Sequence, residues 1–160
     1  MNPFSKIFRP IKRRINSLLE AQAFKKRATS VPSYPINKEG KVFIHLGCGE
    51  INSPEFINID ARPYPHVHII TDDLIAGLDN FSDNSADLIY MSHILEHISH
   101  KKIADVLKKI WRKLKTSGCL RVGVPDFDCI CAIYQDTDKI IKNIVMPLMG
   151  GQDYPYNFSL

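Results

Sequence analysis

The hydrophobic residues of this 160-residue chain fall into short runs from residue 42 onward, with polar or glycine-containing turns between the runs. Runs of four or five residues bounded by such turns are typical of buried β-strands. Five runs predict strands, at residues 42–46, 56–59, 68–71, 87–91 and 120–124. Residues 101–115 have apolar side chains at three- and four-residue spacing, which predicts an amphipathic helix, and residues 130–149 are expected to be helical in one piece or two.

The order of these elements indicates the fold class. Strand and helix patterns alternate in the second half of the chain, and such alternation implies parallel strands joined by right-handed crossovers. We therefore expect an α/β fold with a mostly parallel sheet of about five strands and helices against it. Ser99 is expected to cap the start of the helix at residues 101–115, and Gly118 is expected to stop it.

The first 41 residues differ from the rest in charge. They carry ten Lys and Arg against two Glu, whereas the remaining 119 residues carry eleven Lys and Arg against fifteen Asp and Glu. Residues 1–28 predict a basic amphipathic helical arm, and residues 29–40, rich in Pro and Ser, predict a linker to a domain at residues 41–160. The arm could pack its apolar stripe on the domain, or residues 4–27 could lie on an anionic membrane surface. Nucleic acid is not the expected partner, because the basic residues lack interleaved aromatic side chains.

The composition favours a cytoplasmic setting. No apolar run approaches the ~20 residues of a membrane-spanning helix. The first residues also lack the apolar core and the cleavage site of a secretion signal. The four cysteines, at positions 48, 119, 129 and 131, have no C-x-x-C spacing, so we expect reduced thiols.

Polar residues follow each predicted strand, where a parallel sheet places its ligands. They are Gly47-Cys48-Gly49, Asp60, Asp73, the pair Ser92-His93 and Asp126, in the order of the strands. Glycines let the backbone approach a ligand closely and expose amide donors. An acid after the second strand can accept ribose hydroxyls, and an acid after the third could accept from an exocyclic amine, so the series predicts an adenosine pocket. Only ten residues separate Gly49 from Asp60, too few for the helix whose N-terminus normally binds a pyrophosphate, and this argues against NAD.

Four blocks of the sequence resemble class I S-adenosylmethionine-dependent methyltransferases. They are LGCGEINSPEFINID, DDL, DNSADLIYMSHILEH and VLKKIWRKLKTSGCLRVGVPDF, and the resemblance covers roughly residues 41–158. The resemblance implies a Rossmann-like fold, S-adenosylmethionine as cofactor, and methyl transfer to an acceptor that we expect to be a small molecule. A full fold of this family ends with a hairpin beside the fifth strand, so the chain resembles a form that is shortened at its C-terminus.

The resemblance also implies roles for individual residues. The cofactor-binding residues would be Leu46, Gly47, Cys48, Gly49, Asp60, Asp73, Leu74, Ser92 and His93. The first four would wrap the methionine part, Asp60 would bind the ribose hydroxyls, and the next two would frame the adenine. Ser92 and His93 would close the pocket near the sulfonium, and His93 and His97 are the candidate catalytic bases. Two positions depart from the common family pattern, which carries an acid in place of His45 and a third glycine in place of Ile51.

Two other functions fit parts of the sequence. The letters HILEH at residues 93–97 spell H-x-x-E-H, which on a helix would hold Zn²⁺ through both histidines and indicate a zinc hydrolase. No Glu follows Glu96 to supply the third ligand. A chain without the final hairpin could instead be a non-catalytic S-adenosylmethionine-binding module. Under either function we expect this form to be weakly active or inactive alone and to self-associate at its open fifth strand. His66 and His68 are interpreted as an exposed pair at a strand edge.

Overall fold

The structure, a computed structural model, describes residues 32–35 and 37–149, so the predicted arm at residues 1–28 lies outside the described residues. Its strands are β1 Phe43–Leu46, β2 Ile57–Asp60, β3 Ile69–Ile70, β4 Ala86–Ser92 and β5 Leu114–Gly123. Its α-helices are α1 Ile103–Lys113, α2 Phe127–Asp136 and α3 Val145–Met149, and short 3₁₀-helices lie at Ala76–Asn80, Leu95–His97 and Ile141–Asn143. In the part of the chain that is described, no helix is both long enough and apolar enough to cross a bilayer.

The five predicted strands are confirmed, and they form one parallel sheet in the order β3-β2-β1-β4-β5. Ile44 of β1 pairs with Ile57 of β2 on one side and with Ile89 of β4 on the other. The chain runs outward through β2 and β3 and then returns to the far side of β1 to form β4. The strand order therefore reverses between β1 and β4, and open α/β sheets bind their ligands at the carboxyl ends of the strands beside such a point.

One face of the sheet carries the hydrophobic core. Its buried members are Ile44, Leu46, Ile59, Leu78, Ala86, Ile89, Met91, Val106 and Ile110. Val106 and Ile110 lie one turn apart on α1 and belong to the same buried cluster as alternate residues of β1 and β4, because side chains alternate along a strand and recur every turn of a helix. Each fully buried aliphatic side chain stabilises the fold by roughly 1.5–3 kcal/mol. The layer of α1 on the sheet thus anchors the strands whose ends form the site.

The opposite face of β1 and β4 is lined by aromatic rings. The ring of His45 lies 4.9 Å from that of Tyr90 and 6.0 Å from that of Phe56, and the rings of Phe43 and Phe56 are 5.4 Å apart. Phe56 belongs to the connection at residues 47–56, which contains no helix. A longer crossover would pack a helix on this face of β1. In this chain the ring of Phe56 packs there instead, against Phe43 and His45.

The boundaries of α1 differ from the prediction. No side chain caps its start, and Ser99 contributes only its carbonyl oxygen, which accepts from the Lys102 N–H at 2.8 Å. The helix ends at Lys113 and the chain enters β5 at once, so Gly118 lies inside β5, where the pairing with β4 is irregular. A Cβ at Gly118 would lie 2.8 Å from the carbonyl oxygen of Ala86, so this glycine permits a close approach of two strands instead of ending a helix.

Ion pairs join α1 and the start of β5 to acidic residues before β4 and at its start. The pairs are Lys109–Asp79 at 2.8 Å, Arg112–Asp83 at 2.7 Å, Lys113–Asp83 at 2.9 Å and Lys115–Asp87 at 2.7 Å. Hydrogen bonds from these basic side chains lower the pKa of all three carboxyl groups. Exposed ion pairs add little to stability because water screens them, so their effect is to place these residues and not to drive folding.

Candidate functional site

The turn after β1 forms the first part of the site, and its backbone is left-handed at two glycines. Gly47 has a φ of 67° and Gly49 a φ of 54°, values that residues with a side chain rarely adopt. The amides of Gly47 and Cys48 both point at the carbonyl oxygen of Ile59 on β2, at 2.8 and 3.3 Å. The turn is therefore bound to β2, and the expectation that these amides are free donors is wrong.

Asp60, the last residue of β2, holds the same turn from its other side. Its Oδ2 accepts from the Gly49 N–H at 2.7 Å, and its Oδ1 accepts from the Arg62 N–H at 2.8 Å. Only 8% of Asp60 is exposed. Each carboxylate oxygen keeps further acceptor capacity, so this side chain is fixed in place and can still accept hydrogen bonds from the hydroxyls of a ligand.

Two apolar side chains cover the glycine turn. A Cβ built on Gly47 would lie 2.7 Å from Ile94 Cγ1 and 3.4 Å from Leu74 Cδ1, whereas a Cβ on Gly49 would meet nothing within 4 Å. Gly47 thus lies beneath the loops that follow β3 and β4, and Gly49 borders open space. The sequence predicted Leu74 at the site and missed Ile94, whose only signal is its place directly after the Ser92-His93 pair.

Asp73 acts as a cap in this structure. Its Oδ1 accepts from the N–H groups of Ile75 and Ala76, both at 3.0 Å, at the start of the 3₁₀-helix after β3. The residue is exposed and precedes Leu74. Its other oxygen, Oδ2, is the atom that an adenine amine would have to reach.

His66 belongs to the site, although the sequence pattern did not assign it there. Its Nε2 lies 3.0 Å from the carbonyl oxygen of Gly49, and its ring stacks on Tyr64 with centroids 5.7 Å apart. Because a carbonyl oxygen only accepts, Nε2 donates this bond. His68 accepts from the Asn58 N–H through Nδ1 at 2.9 Å. Both histidines are half-buried and bound to backbone groups, so the prediction of an exposed strand-edge pair is wrong.

Two buried titratable side chains lie on β1 and in the turn. Burial raises the pKa of the Cys48 thiol to about 12, so this residue stays protonated. His45 is only 3% exposed, and burial lowers its pKa although the Asp60 carboxylate opposes the shift. Within the described residues, His45 Nδ1 has no hydrogen-bond partner. His45 occupies the position of the family's acid, and a neutral imidazole there supplies no negative charge to a cofactor ammonium group.

The end of β4 carries the first candidate base. The pairing of β1 with β4 reaches Leu46 and Met91, so Ser92, the last residue of β4, and His93 after it lie beside the glycine turn. His93 has a φ of 55°, and its N–H donates to the carbonyl oxygen of Gly123 on β5 at 2.9 Å. Its Nδ1 lies 3.1 Å from Glu96 Oε1. The backbone of His93 is therefore bound to β5, and its exposed imidazole is bound to a carboxylate.

The second candidate base, His97, is half-buried at the end of the 3₁₀-helix Leu95–His97. The left-handed backbone at His93 separates that residue from the helix, so the two histidines do not share one face of an α-helix as the zinc-hydrolase alternative requires. Among residues 32–35 and 37–149, no group of three His, Cys, Asp or Glu side chains is placed to hold a metal ion. The structure gives that alternative no support.

The site fits a nucleoside that carries an amino-acid chain better than it fits a dinucleotide. Gly47 and Gly49 have no side chains, so a ligand can approach their backbone closely. The fixed carboxylate of Asp60 can accept from hydroxyl groups, and Leu74 provides an apolar wall. The connection at residues 47–56 contains no helix, so the usual N-terminal site for a pyrophosphate is missing there.

Two of the comparisons with known proteins gave a match. Residues 51–122 match a family model described as a methyltransferase domain; the match begins just after the glycine turn and includes Asp60, Asp73 and all of β4. A crystal structure of an S-adenosylmethionine-dependent methyltransferase from Archaeoglobus fulgidus is 18% identical, with a TM-score of 0.43, over 65% of this chain and 50% of that chain. The chain thus spans half the length of that protein. A comparison with curated proteins gave no match.

The fold and the matched segment point the same way. A five-stranded parallel sheet in this order, with helices against it, carries a methyltransferase-domain match from residue 51 to residue 122. The match agrees with the resemblance recognised in the sequence, which implies S-adenosylmethionine as the cofactor.

Proposed function

We propose that this domain is a class I S-adenosylmethionine-dependent methyltransferase that binds its cofactor at the ends of β1, β2 and β3 and transfers the methyl group to a small molecule at the end of β4. Asp60 would bind the ribose hydroxyls, and Leu74 would pack on the adenine beside Asp73. The turn at residues 47–49 would follow the methionine part, and Ser92 and His93 would border the sulfonium.

One observation carries this proposal: the hydrogen bond from the Gly49 N–H to Asp60 Oδ2 at 2.7 Å. This bond places the carboxylate that would accept from the ribose hydroxyls directly beside Gly49, whose backbone borders open space. Hydrogen bonds to a carboxylate are roughly twice as strong as those between neutral groups, and a buried carboxylate meets little competition from water. An adenosine whose ribose is bound by Asp60 can extend its amino-acid chain along the turn.

The methionine end of the cofactor needs partners other than the amides of the turn. The N–H groups of Gly47 and Cys48 donate to Ile59, and that of Gly49 donates to Asp60. The carbonyl oxygens of the turn are the groups that suit the ammonium, because each has two lone pairs and an ammonium only donates.

The bound cofactor supplies an activated methyl group, so the protein has to align donor and acceptor and to exclude water. Ile94 and Leu74 cover Gly47 and keep water from that part of the turn. A base is required only where the acceptor must lose a proton. His93 and His97 are the candidates for that role.

The competing function is a module that binds S-adenosylmethionine without transferring its methyl group. It would use the same residues of β1, β2 and β3 and would differ only at the end of β4. Cofactor binding and methyl transfer therefore have to be measured separately.

Calorimetry with S-adenosylmethionine and S-adenosylhomocysteine tests the proposal, using the wild type, Asp60→Ala and Asp72→Ala. Asp72 is exposed on the turn after β3, so Asp72→Ala makes the same change in charge away from the ribose site. Asp60→Ala should bind S-adenosylhomocysteine about 10–100-fold more weakly, because it loses bonds worth roughly 1.5–3 kcal/mol. Asp72→Ala should bind like the wild type, and urea unfolding would show that both variants are folded.

Other outcomes would change the assignment. Unchanged affinity in Asp60→Ala would remove Asp60 from the site and with it the proposed arrangement. Binding without transfer to any acceptor would favour the non-catalytic module. A reproducible one-to-one zinc content, lost when His93 and His97 are both replaced by Ala, would favour the hydrolase.

A further inference from the structure

Resting on the proposed methyl transfer, we infer that the acceptor is a small molecule that reacts through a hydroxyl group, that His93 removes the hydroxyl proton, and that Glu96 is the residue that positions His93. The inference rests on three features of the end of β4: an oriented imidazole, a left-handed backbone and a place beside the cofactor site.

The imidazole of His93 is oriented by a carboxylate. Its Nδ1 lies 3.1 Å from Glu96 Oε1, within hydrogen-bond distance. Because an ionised carboxylate only accepts, Nδ1 carries the hydrogen, and Nε2 of the neutral ring keeps a lone pair. The side chain of His93 is 68% exposed, so a ligand can reach Nε2. The same carboxylate stabilises the imidazolium that forms when Nε2 accepts a proton.

The backbone holds His93 in a conformation that histidine seldom adopts. Its φ of 55° lies in the left-handed region, and the bond from its N–H to the Gly123 carbonyl oxygen, at 2.9 Å, keeps it there. Strained backbone of this kind is concentrated at active sites, where it aims a side chain in a direction that a relaxed turn would not give. Here it directs the imidazole out of the sheet at the strand beside the point where the strand order reverses.

His93 also stands next to the proposed cofactor site. Its neighbour Ile94 covers Gly47 of the turn. Two histidines nearer the turn are committed to a structural bond or buried: His66 donates to Gly49 through Nε2, and His45 lies on β1 beneath the turn. His93 thus combines a place beside the turn with a reachable ring nitrogen.

The chemistry of the step selects the class of acceptor. The acceptor oxygen forms a bond to the methyl carbon as the carbon–sulfur bond breaks with both electrons leaving on sulfur, which yields S-adenosylhomocysteine. The hydroxyl proton passes to Nε2 of His93, and the imidazolium later releases it to water. A hydroxyl is a poor nucleophile while it keeps its proton, whereas a thiolate or a tertiary amine needs no base. An oriented base at this place therefore favours an alcohol or a phenol.

Replacing His93 by Gly tests the base without straining the backbone, because glycine adopts a φ of 55° freely. Asn84, on the segment before β4, has a φ of 56°, so Asn84→Gly is a matched control. Transfer of a radiolabelled methyl group from S-adenosylmethionine would be measured to phenols, small alcohols, thiols and tertiary amines. His93→Gly should lose about 10²–10⁴-fold in kcat toward hydroxyl acceptors and regain activity when imidazole is added. Asn84→Gly should bind S-adenosylhomocysteine like the wild type, and His93→Gly should still bind it measurably, because Asp60 and the glycine turn are unchanged.

Glu96→Gln tests the positioning role, because glutamine keeps the length and a carbonyl acceptor but removes the charge. The kcat should fall about tenfold or more with unchanged affinity for S-adenosylhomocysteine. NMR of the histidine rings gives a readout without turnover: the hydrogen of neutral His93 should sit on Nδ1, where it faces Glu96 Oε1.

Imidazole rescue of His93→Gly that is confined to hydroxyl acceptors would support the inference. Wild-type turnover and pH profile in His93→Gly would overturn it, as would a hydrogen on Nε2 of neutral His93. Transfer to none of the hydroxyl acceptors, in a protein that binds S-adenosylhomocysteine, would overturn it as well. All of these leave the cofactor site standing, whereas a wild type that fails to bind S-adenosylhomocysteine would overturn the proposed function itself.

Discussion

The two ends of the site are built in opposite ways. At the ends of β1 and β2, polar groups are buried and bound to one another: Asp60 accepts from Gly49, and Gly47 donates to Ile59. At the end of β4, His93 is largely exposed, and a single side chain, Glu96, holds its ring. The first region is fixed before any ligand arrives, whereas the second can adjust to one.

This difference suits the two ligands of the proposed methyl transfer. One cofactor serves the whole class, and a rigid site built largely from backbone suits a single ligand. Acceptors differ between enzymes, and exposed side chains on loops can change without disturbing the core. We therefore expect substitutions at the β1–β2 end to change stability and cofactor affinity together, and substitutions at the β4 end to change turnover alone.

The largest expected effect is that of Gly47→Ala, which should destabilise the protein by roughly 2–5 kcal/mol. About 1–2 kcal/mol comes from a side chain in the left-handed region, and about 1–3 kcal/mol comes from overlap with Ile94. Gly49→Ala, with a similar φ and open space around its Cβ, should cost only roughly 1–2 kcal/mol. Urea unfolding of both variants measures the difference.

A second substitution identifies the cause of that difference. Ile94→Ala removes the side chain that a Cβ at Gly47 would meet, so the extra loss in Gly47→Ala should shrink when the two changes are combined. Equal stability of Gly47→Ala and Gly49→Ala would show that Ile94 does not press on the turn, and the contrast between the two regions would lose its basis.

A smaller effect is expected at the open edge of β5. In the described residues β5 pairs with β4 alone, and the side chains of Val122 and Val124 are 40% and 52% exposed. An apolar edge invites pairing with another chain, so we expect the protein to self-associate there. Val122→Lys should raise the dissociation constant about tenfold, equivalent to roughly 1.4 kcal/mol, in analytical ultracentrifugation.

The control for this edge is Leu107→Lys on α1, where Leu107 is 38% exposed. It adds the same charge at similar exposure away from the strand edge and should leave the dissociation constant unchanged. If both lysines raise the dissociation constant equally, the effect comes from added charge in general and not from the edge of β5. A wild type that is monomeric at all concentrations would contradict the expectation.

The smallest effect is a dependence of stability on pH at His45. Burial lowers its pKa below the ~6.5 of a histidine in the unfolded chain. Below about pH 6.5 the unfolded state therefore binds more protons than the folded state, and stability falls as the pH falls through the lowered pKa. His45→Phe keeps a ring between Phe56 and Tyr90 but cannot titrate, so it should flatten this part of the curve of urea midpoint against pH. If the urea midpoint of His45→Phe changes between about pH 6.5 and 5 as steeply as that of the wild type, His45 is not the source of the pH dependence.

Much of the fold could be predicted, because strands buried on both faces leave continuous apolar runs. The predicted limits of β1 and β4 differ by one residue from the observed Phe43–Leu46 and Ala86–Ser92. The predicted fifth strand covers residues 120–124, whereas β5 begins at Leu114. The prediction misses the first part of β5 because residues 115–118 are polar or glycine and the pairing with β4 is irregular there. Hydrophobic pattern alone does not identify a strand of that composition.

The site was predictable in outline and not in its hydrogen bonds. Asp60 and the glycine turn follow neighbouring parallel strands, so their proximity could be deduced. The direction of the turn's amides depends on left-handed backbone angles that the letters Gly-Cys-Gly leave open. His66 and Ile94 reach the turn through loops after β2 and β4, and the path of a loop depends on its contacts with the rest of the fold and not on its own sequence pattern.

The short connection between β1 and β2 has a consequence for the order of folding. Ile44 pairs with Ile57 and with Ile89, so the first pairing closes a much smaller loop than the second. The entropy of loop closure makes the second pairing less favourable by about 1 kcal/mol, and pairings that are distant in sequence form slowly. We expect β1 and β2 to meet early, and the pairing of β1 with β4 to follow. During synthesis, the strand pair that carries Asp60 can form before α1 has left the ribosome, and His93 takes its place only when β4 and β5 have docked.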